Sequence, residues 1–250
     1  MKINFTSMNE QFKIADFLTT LDRKVNLLEK KLDIFKDFKK FCMEQLFAQK
    51  LRFKNANGEN YPDWEKMKLS DIFVVGKAGG TPKSTEDEYY NGDIPFLSIA
   101  DMTSQGKYIS NTTKTITKEG LNNSSAWIVP ENSLLYSIYA SVGFVAINKT
   151  PMSTSQAIFG IILKNNINIE YIYYYLLDYK KYIHRLTETG TQGNLNSKIV
   201  NDIIINTPTK EEQDIIANFL TEIDNKIDKI AIELENTKEF KKGLLQQMFC

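Results

Sequence analysis

Apolar residues near both ends of the chain recur at alternating steps of four and three. Ile14, Leu18, Leu21, Val25, Leu28, Leu32 and Phe35 follow one another in this way, and so do Ile216, Leu220, Ile223, Ile227, Ile230 and Leu234. This spacing gathers them into one narrow stripe of a helix, the seam of a coiled coil, with Lys, Asp and Glu on the other faces. Neither segment contains proline, and their only glycine is Gly243. Each is predicted to be one helix of about 36 residues, roughly 54 Å long. The first runs into the middle of the chain and the second runs out of it, so packing against each other there makes them antiparallel. Two surface helices covering a core are the plainer alternative, but heptad spacing held over so many turns favours the coiled coil.

Between the helices the pattern shifts to short runs rich in β-branched and aromatic residues. These are Ile72–Val75, Ile94–Ile99, Ser133–Ile138, Gly143–Ile147 and Ala157–Ile162, bounded by Gly, Asn and Pro, and they predict strands. Residues 169–188 read as an amphipathic helix. Asn55-Ala56-Asn57-Gly58-Glu59-Asn60 and Asn206-Thr207-Pro208-Thr209 carry turn and helix-entry chemistry. The expected organisation is α+β: a first spacer helix in 1–54, one mixed α/β domain in 55–207, and a second spacer helix in 208–250.

The two helical segments are also copies of each other. Residues 10–48 and 212–250 align without a gap at a constant shift of 202 positions, with 16 identities in 39 pairs. Glu10-Gln11, Ile14-Ala15, Phe17-Leu18-Thr19, Asp22 and Lys24 return as Glu212-Gln213, Ile216-Ala217, Phe219-Leu220-Thr221, Asp224 and Lys226. Copies set this far apart cannot stack as a solenoid's units do. One helix is used twice, around a different kind of domain.

The composition, 42% apolar and 25% charged, is that of an ordinary globular protein. No apolar run is long enough to span a membrane, and the first residues do not resemble a signal peptide, so a cytoplasmic location is expected. Cys42 and Cys250 suggest neither a disulfide framework nor a zinc site. Net charge is zero, although the first 54 residues carry 12 basic against 7 acidic side chains. A free-standing nucleic-acid binder usually has a basic excess, because neutralising phosphates supplies most non-specific affinity. Any such role here requires a local patch or affinity borrowed from a partner.

The sequence offers no catalytic constellation. His184, the only histidine, stands in a Tyr/Lys-rich helical stretch with no nucleophile or metal ligand at sensible spacing. Val75-Gly76-Lys77-Ala78-Gly79-Gly80-Thr81 fails the spacing of a phosphate loop. Asp93-Ile94-Pro95-Phe96 is similar to the amino-methyltransferase tetrapeptide but lacks one proline and any glycine-rich cofactor loop. Pro62-Asp63-Trp64-Glu65-Lys66 crowds a nuclease-like acid and E-x-K element into five residues. The expectation is a protein without a metal, a cofactor or catalysis of its own.

The repeat, followed by Tyr61-Pro62-Asp63-Trp64 and Leu69, resembles the conserved regions of DNA-specificity (S) subunits of type I restriction-modification systems. So do Gly79-Gly80-Thr81-Pro82, Tyr89-Tyr90-Asn91-Gly92-Asp93-Ile94-Pro95-Phe96-Leu97 with Asp101, and Gly190-Thr191-Gln192-Gly193-Asn194-Leu195-Asn196 leading to Pro208 and Glu212-Gln213. Gly-Gly-Thr-Pro alone is a weak signal; the ordered set with the repeat is a strong one. The resemblance implies a target-recognition domain that reads one half of a bipartite site in double-stranded DNA. It implies long antiparallel helices that act as a spacer, clasped by methyltransferase subunits that methylate adenine, and a separate motor-nuclease subunit. It also accounts for the missing catalytic residues and basic excess, which partners would supply.

Family members usually carry two recognition domains, whereas this sequence has one, so a half-length form is expected. A homodimer presenting two identical domains to an interrupted palindrome is favoured over a monomer whose helices satisfy each other. The expected DNA-contacting residues are polar or planar side chains on loops. They are Lys77, Gly79, Gly80, Thr81, Lys83 and Ser84 around the glycine turn; Tyr136, Tyr139, Ser141, Ser153, Thr154, Ser155 and Gln156; and Gln192 with Asn194. Lys36, Lys39-Lys40 and Lys241-Lys242 read as a solvated face. The apolar seam is the expected surface for the methyltransferase or a second copy. A coiled-coil assembly or inhibitory factor that binds the methyltransferase or a full-length S subunit without reading DNA is the alternative function.

Overall fold

The computed structural model describes residues 7–187 and 194–249. In chain order the elements are α1 (Met8–Phe47), β1 (Glu65–Lys68), α2 (Leu69–Ile72), β2 (Phe73–Ala78), β3 (Tyr90–Leu97) and α3 (Ile99–Gln105). They continue with β4 (Tyr108–Ile109), β5 (Lys114–Ile116), α4 (Lys118–Asn122), β6 (Ile128–Val129), β7 (Leu134–Ser137) and β8 (Val145–Asn148). The last are β9 (Met152–Thr154), β10 (Ile158–Leu163), α5 (Ile169–Thr187), α6 (Ser197–Asn201), β11 (Ile204–Thr207) and α7 (Lys210–Phe249). They form two compact units: Met1–Cys42 with Phe219–Cys250, and Met43–Asn218.

In the first unit α1 and α7 run antiparallel. Leu28, Ile230 and Leu234 form a buried cluster, against which Val25, Leu32 and Phe35 pack. Ion pairs fix the register: Asp22 with Lys241, Lys24 with Glu233 at 3.0 Å, Glu29 with Lys238 at 2.7 Å and Lys39 with Asp224 at 2.5 Å. From Asp22 with Lys241 to Lys39 with Asp224, numbers rise along one helix as they fall along the other. The more exposed of these pairs, Lys24–Glu233 and Glu29–Lys238, contribute only about 0.2–1 kcal/mol each, so the apolar seam holds the helices and the charges select their alignment. Each helix is 40 residues long, about 60 Å.

The seam was expected to be a surface for another chain, and the structure corrects this. Ile223, Ile230 and Leu234 of α7 are buried, as is Leu28 of α1; Ile14, Leu18, Leu21, Val25, Leu32 and Ile227 are half-buried. A helix this long needs its apolar stripe covered, and the intramolecular copy covers the centre of it. Exposed apolar side chains on α1 lie off the seam, among them Phe12, Phe17, Leu27, Ile34, Phe38 and Phe41.

The second unit holds two main sheets, one ordered β2-β10-β7-β8-β4 and the other β5-β3-β9-β6. Leu97, Met102, Ile109, Val129, Leu135, Ala146, Met152 and Ile158 make one core cluster drawn from both. All five predicted strand runs and the long helix are present. β1 pairs with β11, Glu65 opposite Thr207 through Lys68 opposite Ile204, which ties the two ends of the domain together.

Beside that junction lies a buried polar clamp. Glu212 is fully buried and accepts from Arg52 Nε at 3.1 Å, Arg52 Nη2 at 2.8 Å and Trp64 Nε1 at 2.9 Å. Its neighbour Gln213 accepts from the Asn168 backbone N–H and donates to the Pro208 carbonyl, both at 2.9 Å. The boundaries expected at 54/55 and 207/208 therefore fall inside one compact unit, which takes in Phe47 at the end of α1 and the first turns of α7. Phe47 packs edge-on to Tyr171 and Tyr175, at 5.9 and 5.2 Å between ring centroids.

Candidate nucleic-acid interface

The run from Thr154 to Ile158 is the hub on which several loops converge. Gly79 N–H donates to the Ile158 carbonyl at 2.9 Å and Gly80 N–H to the Thr154 carbonyl at 3.0 Å. Ile138 N–H and Tyr139 N–H both donate to the Ala157 carbonyl, at 2.8 and 3.4 Å. Leu195 N–H in turn donates to the Ile138 carbonyl at 2.8 Å. Segments far apart in sequence are thus fastened backbone to backbone: the glycine turn, the β7–β8 connection, the β9–β10 connection and the approach to α6.

On this framework Lys77, Thr81, Lys83, Ser84, Tyr139, Ser141, Gln156 and Asn194 are exposed, and Ser155 is half-buried. Lys77 Nζ lies over the Trp127 ring, 4.8 Å from its centroid. Five of the expected contact residues are instead buried. Tyr136, Ser153 and Thr154 have no exposed surface. Ser153 and Thr154 lie in β9, a central strand between β3 and β6 with partners Phe96 and Leu97, and the Ser153 hydroxyl donates to the Pro95 carbonyl at 2.9 Å. Polar residues next to Pro151 read locally as loop, and only this long-range pairing buries them.

Gly79 and Gly80 are corrected for a different reason. Their N–H groups are already engaged by Ile158 and Thr154, leaving none for a phosphate. A Cβ on Gly79 would lie 2.2 Å from the Thr154 carbonyl oxygen, and one on Gly80 2.3 Å from Ala126 N. Glycine is needed here because the chain approaches its own backbone closely. Gln192 and the side chain of His184 lie outside the described residues.

Sequence reasoning missed other residues at this surface. Ser125 is exposed, and its backbone lies against Gly80. Lys180 of α5 sits beside Gly143, with its ammonium 5.9 Å from the Phe144 ring centroid. The helical pattern marks Lys180 as a polar position without indicating which loop the helix meets. Among the described residues, no group of three or more His, Cys, Asp or Glu could hold a metal ion, and no helix is long and apolar enough to cross a membrane.

The model of the type I restriction modification DNA specificity domain family matches residues 61–238. The chain belongs to that family. Among curated members, the specificity subunit of the type I restriction enzyme MjaIX from Methanocaldococcus jannaschii is 31% identical over 75% of this chain and 46% of its own length. The specificity subunit of the HindI enzyme from Haemophilus influenzae is 32% identical over 74% of this chain and 40% of its own length. This specificity-domain chain therefore spans less than half of either relative. The crystal structure of an HsdS subunit from Thermoanaerobacter tengcongensis shares the fold, with a TM-score of 0.64 over 95% of this chain and 56% of that one at 16% identity.

Within this specificity domain the Pro62-Asp63-Trp64 and Glu212-Gln213 motifs have a physical role. Trp64 Nε1 donates to the Glu212 carboxylate, the Pro62 carbonyl accepts from Arg52 Nη2 at 2.7 Å, and Gln213 fixes the residue before α5. These residues shape the domain, while exposed polar side chains stand on the converging loops.

Proposed function

We propose that this chain reads one half of a bipartite site in double-stranded DNA for a type I restriction-modification complex, without chemistry of its own. The observation that carries this reading is the convergence of exposed Lys83, Thr81, Tyr139, Gln156 and Asn194 on one backbone-fastened framework, in a chain of the DNA specificity domain family. Lysine and hydroxyl groups suit phosphate contacts, and amide and aromatic groups suit base edges. A methyltransferase that flips its target base needs another subunit to hold the duplex in register. In this reading methyltransferase subunits dock along the outer faces of α1 and α7, where Leu27, Ile34, Phe38 and Phe41 of α1 and Ile232 and Phe240 of α7 are exposed, and a motor-nuclease subunit joins them. The complex works in the cytoplasm, where the DNA is.

Because α1 and α7 cover the centre of their seam on each other, the two copies of the chain in this reading assemble as a homodimer through other surfaces and present identical domains to an interrupted palindrome. Gel filtration with light scattering tests this: a single species near 28.8 kDa at all concentrations would exclude the dimer. For the function itself, the chain is co-expressed with a type I methyltransferase subunit and genomic adenine methylation is mapped. A new bipartite methylated motif is expected. No new motif, or loss of the methylation directed by a full-length S subunit, would favour an inhibitory factor.

A further inference from the structure

We propose that Tyr139 is a specificity-determining side chain: a rigidly mounted aromatic that enters a DNA groove and reads a base. The inference rests on the DNA-reading function above and narrows its surface to one contact.

The loop joining β7 to β8 is held at several points. The Ser137 hydroxyl donates to the Ser141 carbonyl at 2.6 Å and accepts from Phe144 N–H at 2.9 Å. Gly143 N–H donates to the Ser137 carbonyl and Phe144 N–H to the Ser141 carbonyl, both at 3.0 Å. Gly143 has a φ of +79°, and a Cβ there would lie 2.4 Å from Ile183 Cδ1, so the loop is also pressed onto α5. The base of the loop is bonded to Ala157 and Leu195, as described above.

Within this loop Ala140 and Ser141 have φ of 40° and 46°, a region that residues with a Cβ seldom occupy. Two such residues in succession turn the chain sharply just after Tyr139. Ile138 is only 2% exposed, whereas Tyr139 next to it is 39% exposed. The other exposed tyrosines of the domain are engaged: Tyr108 donates to Glu170 at 2.6 Å, and Tyr182 lies 5.7 Å from the Tyr179 ring. Tyr139 makes no side-chain hydrogen bond or ring contact with the described residues.

An exposed aromatic on an already ordered backbone loses little freedom on binding, because only its two side-chain torsions remain to be fixed. Its ring can lie on a thymine methyl or stack on a base, and its hydroxyl can bond to a base edge. The segments bonded to the loop add the exposed amides of Gln156 and Asn194, the side-chain type that pairs with adenine. Lys180, against Gly143, is placed for the adjacent phosphate.

The test uses the chain bound to its co-expressed methyltransferase subunit, as wild type, Tyr139→Ala and Tyr139→Phe. Methylated motifs are mapped, and affinity is measured for a duplex carrying the wild-type motif and for a scrambled duplex. Tyr139→Ala is expected to relax one or two adjacent positions of the half-site and to lower the cognate-to-scrambled affinity ratio about tenfold. Affinity for the scrambled duplex and the melting temperature stay unchanged. Tyr139→Phe separates ring from hydroxyl, and either pattern of rescue is consistent with a base contact. An identical motif and ratio in Tyr139→Ala, or an equal fall in both affinities, would overturn the inference while leaving the DNA-reading function standing. A wild-type complex that methylates no new motif would instead overturn the function itself.

Discussion

Arg52 and Glu212, 160 residues apart, meet in a two-pronged pair: guanidinium Nε to Oε1 at 3.1 Å and Nη2 to Oε2 at 2.8 Å. The hydrogen bond to Glu212 pushes the Arg52 pKa further above its ordinary value, against the smaller opposing effect of burial. Glu10, the residue that repeats Glu212 at the start of α1, is exposed. Identical sequence thus has two structural roles. Glu212→Ala leaves Trp64 Nε1 without its acceptor and Arg52 with only the Pro62 carbonyl and the more distant Asp63 carboxylate, and is expected to cost about 3 kcal/mol. Glu10→Ala is expected to change stability by no more than about 0.5 kcal/mol. Denaturant unfolding of the two variants checks this, and equal losses would contradict it.

The helix pair depends on its seam rather than on its surface charges. Leu28→Ala is expected to cost about 2–3 kcal/mol, at the low end for a buried leucine because this side chain keeps a little exposure. Lys24→Ala, which removes only the exposed pair with Glu233, is expected to cost less than about 1 kcal/mol. Circular dichroism and limited proteolysis should show the leucine variant losing the α1–α7 pair before the β-rich domain unfolds.

Asp101 predicts a pH dependence. Burial raises its pKa, but hydrogen bonds from Ser98 and Thr113 outweigh that, and the net shift is downward. It closes a capping box on α3: Ser98 donates to the carboxylate and Asp101 N–H donates to the Ser98 hydroxyl oxygen. A depressed folded-state pKa means its contribution is fully present above the unfolded value, about 4, and is lost as pH falls through the lower folded value. The melting-temperature gap between wild type and Asp101→Ala should therefore be constant near neutrality and shrink below about pH 4. A gap that widens in acid would refute the assignment.

Tyr136 is buried, and its hydroxyl has no hydrogen-bond partner among the described residues. Burial, with a smaller effect of Tyr179, raises its pKa well above the ordinary tyrosine value. Removing a buried hydroxyl without a partner relieves a desolvation cost, so Tyr136→Phe is expected to be neutral or stabilising by about 1 kcal/mol. Thermal melting would detect a loss of that size, which would mean the hydroxyl has a partner.

The glycine turn separates a structural role from a binding role within a few residues. Gly79→Ala drives a methyl group into the Thr154 carbonyl and should cost about 1–3 kcal/mol. Lys83→Ala should leave stability within about 0.5 kcal/mol and, if Lys83 meets one phosphate, lower the salt dependence of DNA binding by about one unit of slope. Melting curves and salt titrations of the methyltransferase complex separate the two.

Elements with strong local patterns are legible in the amino-acid sequence. The heptad steps identify α1 and α7, and apolar runs such as Ala157–Ile162 identify the central strands, because each carries its whole signal in neighbouring residues. The short strands β4, β6 and β9 are not legible in this way. They exist only because a distant segment pairs with them: Tyr108 with Ile147, Ile128 and Phe96 with Ser153. The candidate interface is legible as a set of loops, and Lys83, Tyr139, Gln156 and Asn194 stand on its surface. Tyr136, Ser153 and Thr154 are misplaced by sequence reasoning because burial of a polar residue in a strand depends on tertiary partners.

By itself the sequence determined the repeated helices, their heptad seam, the β-rich domain between them and the ordered motifs of the family. Those properties depend on spacing and side-chain type along the chain. Only the tertiary structure decided that the two copies cover the centre of their seam on each other, that Glu212 is locked to Arg52 and Trp64 while Glu10 faces solvent, and that Tyr139 is exposed while Tyr136 is buried. The reason is physical: burial and pairing are properties of what packs from elsewhere in the chain, and identical local sequence meets different neighbours at its two positions.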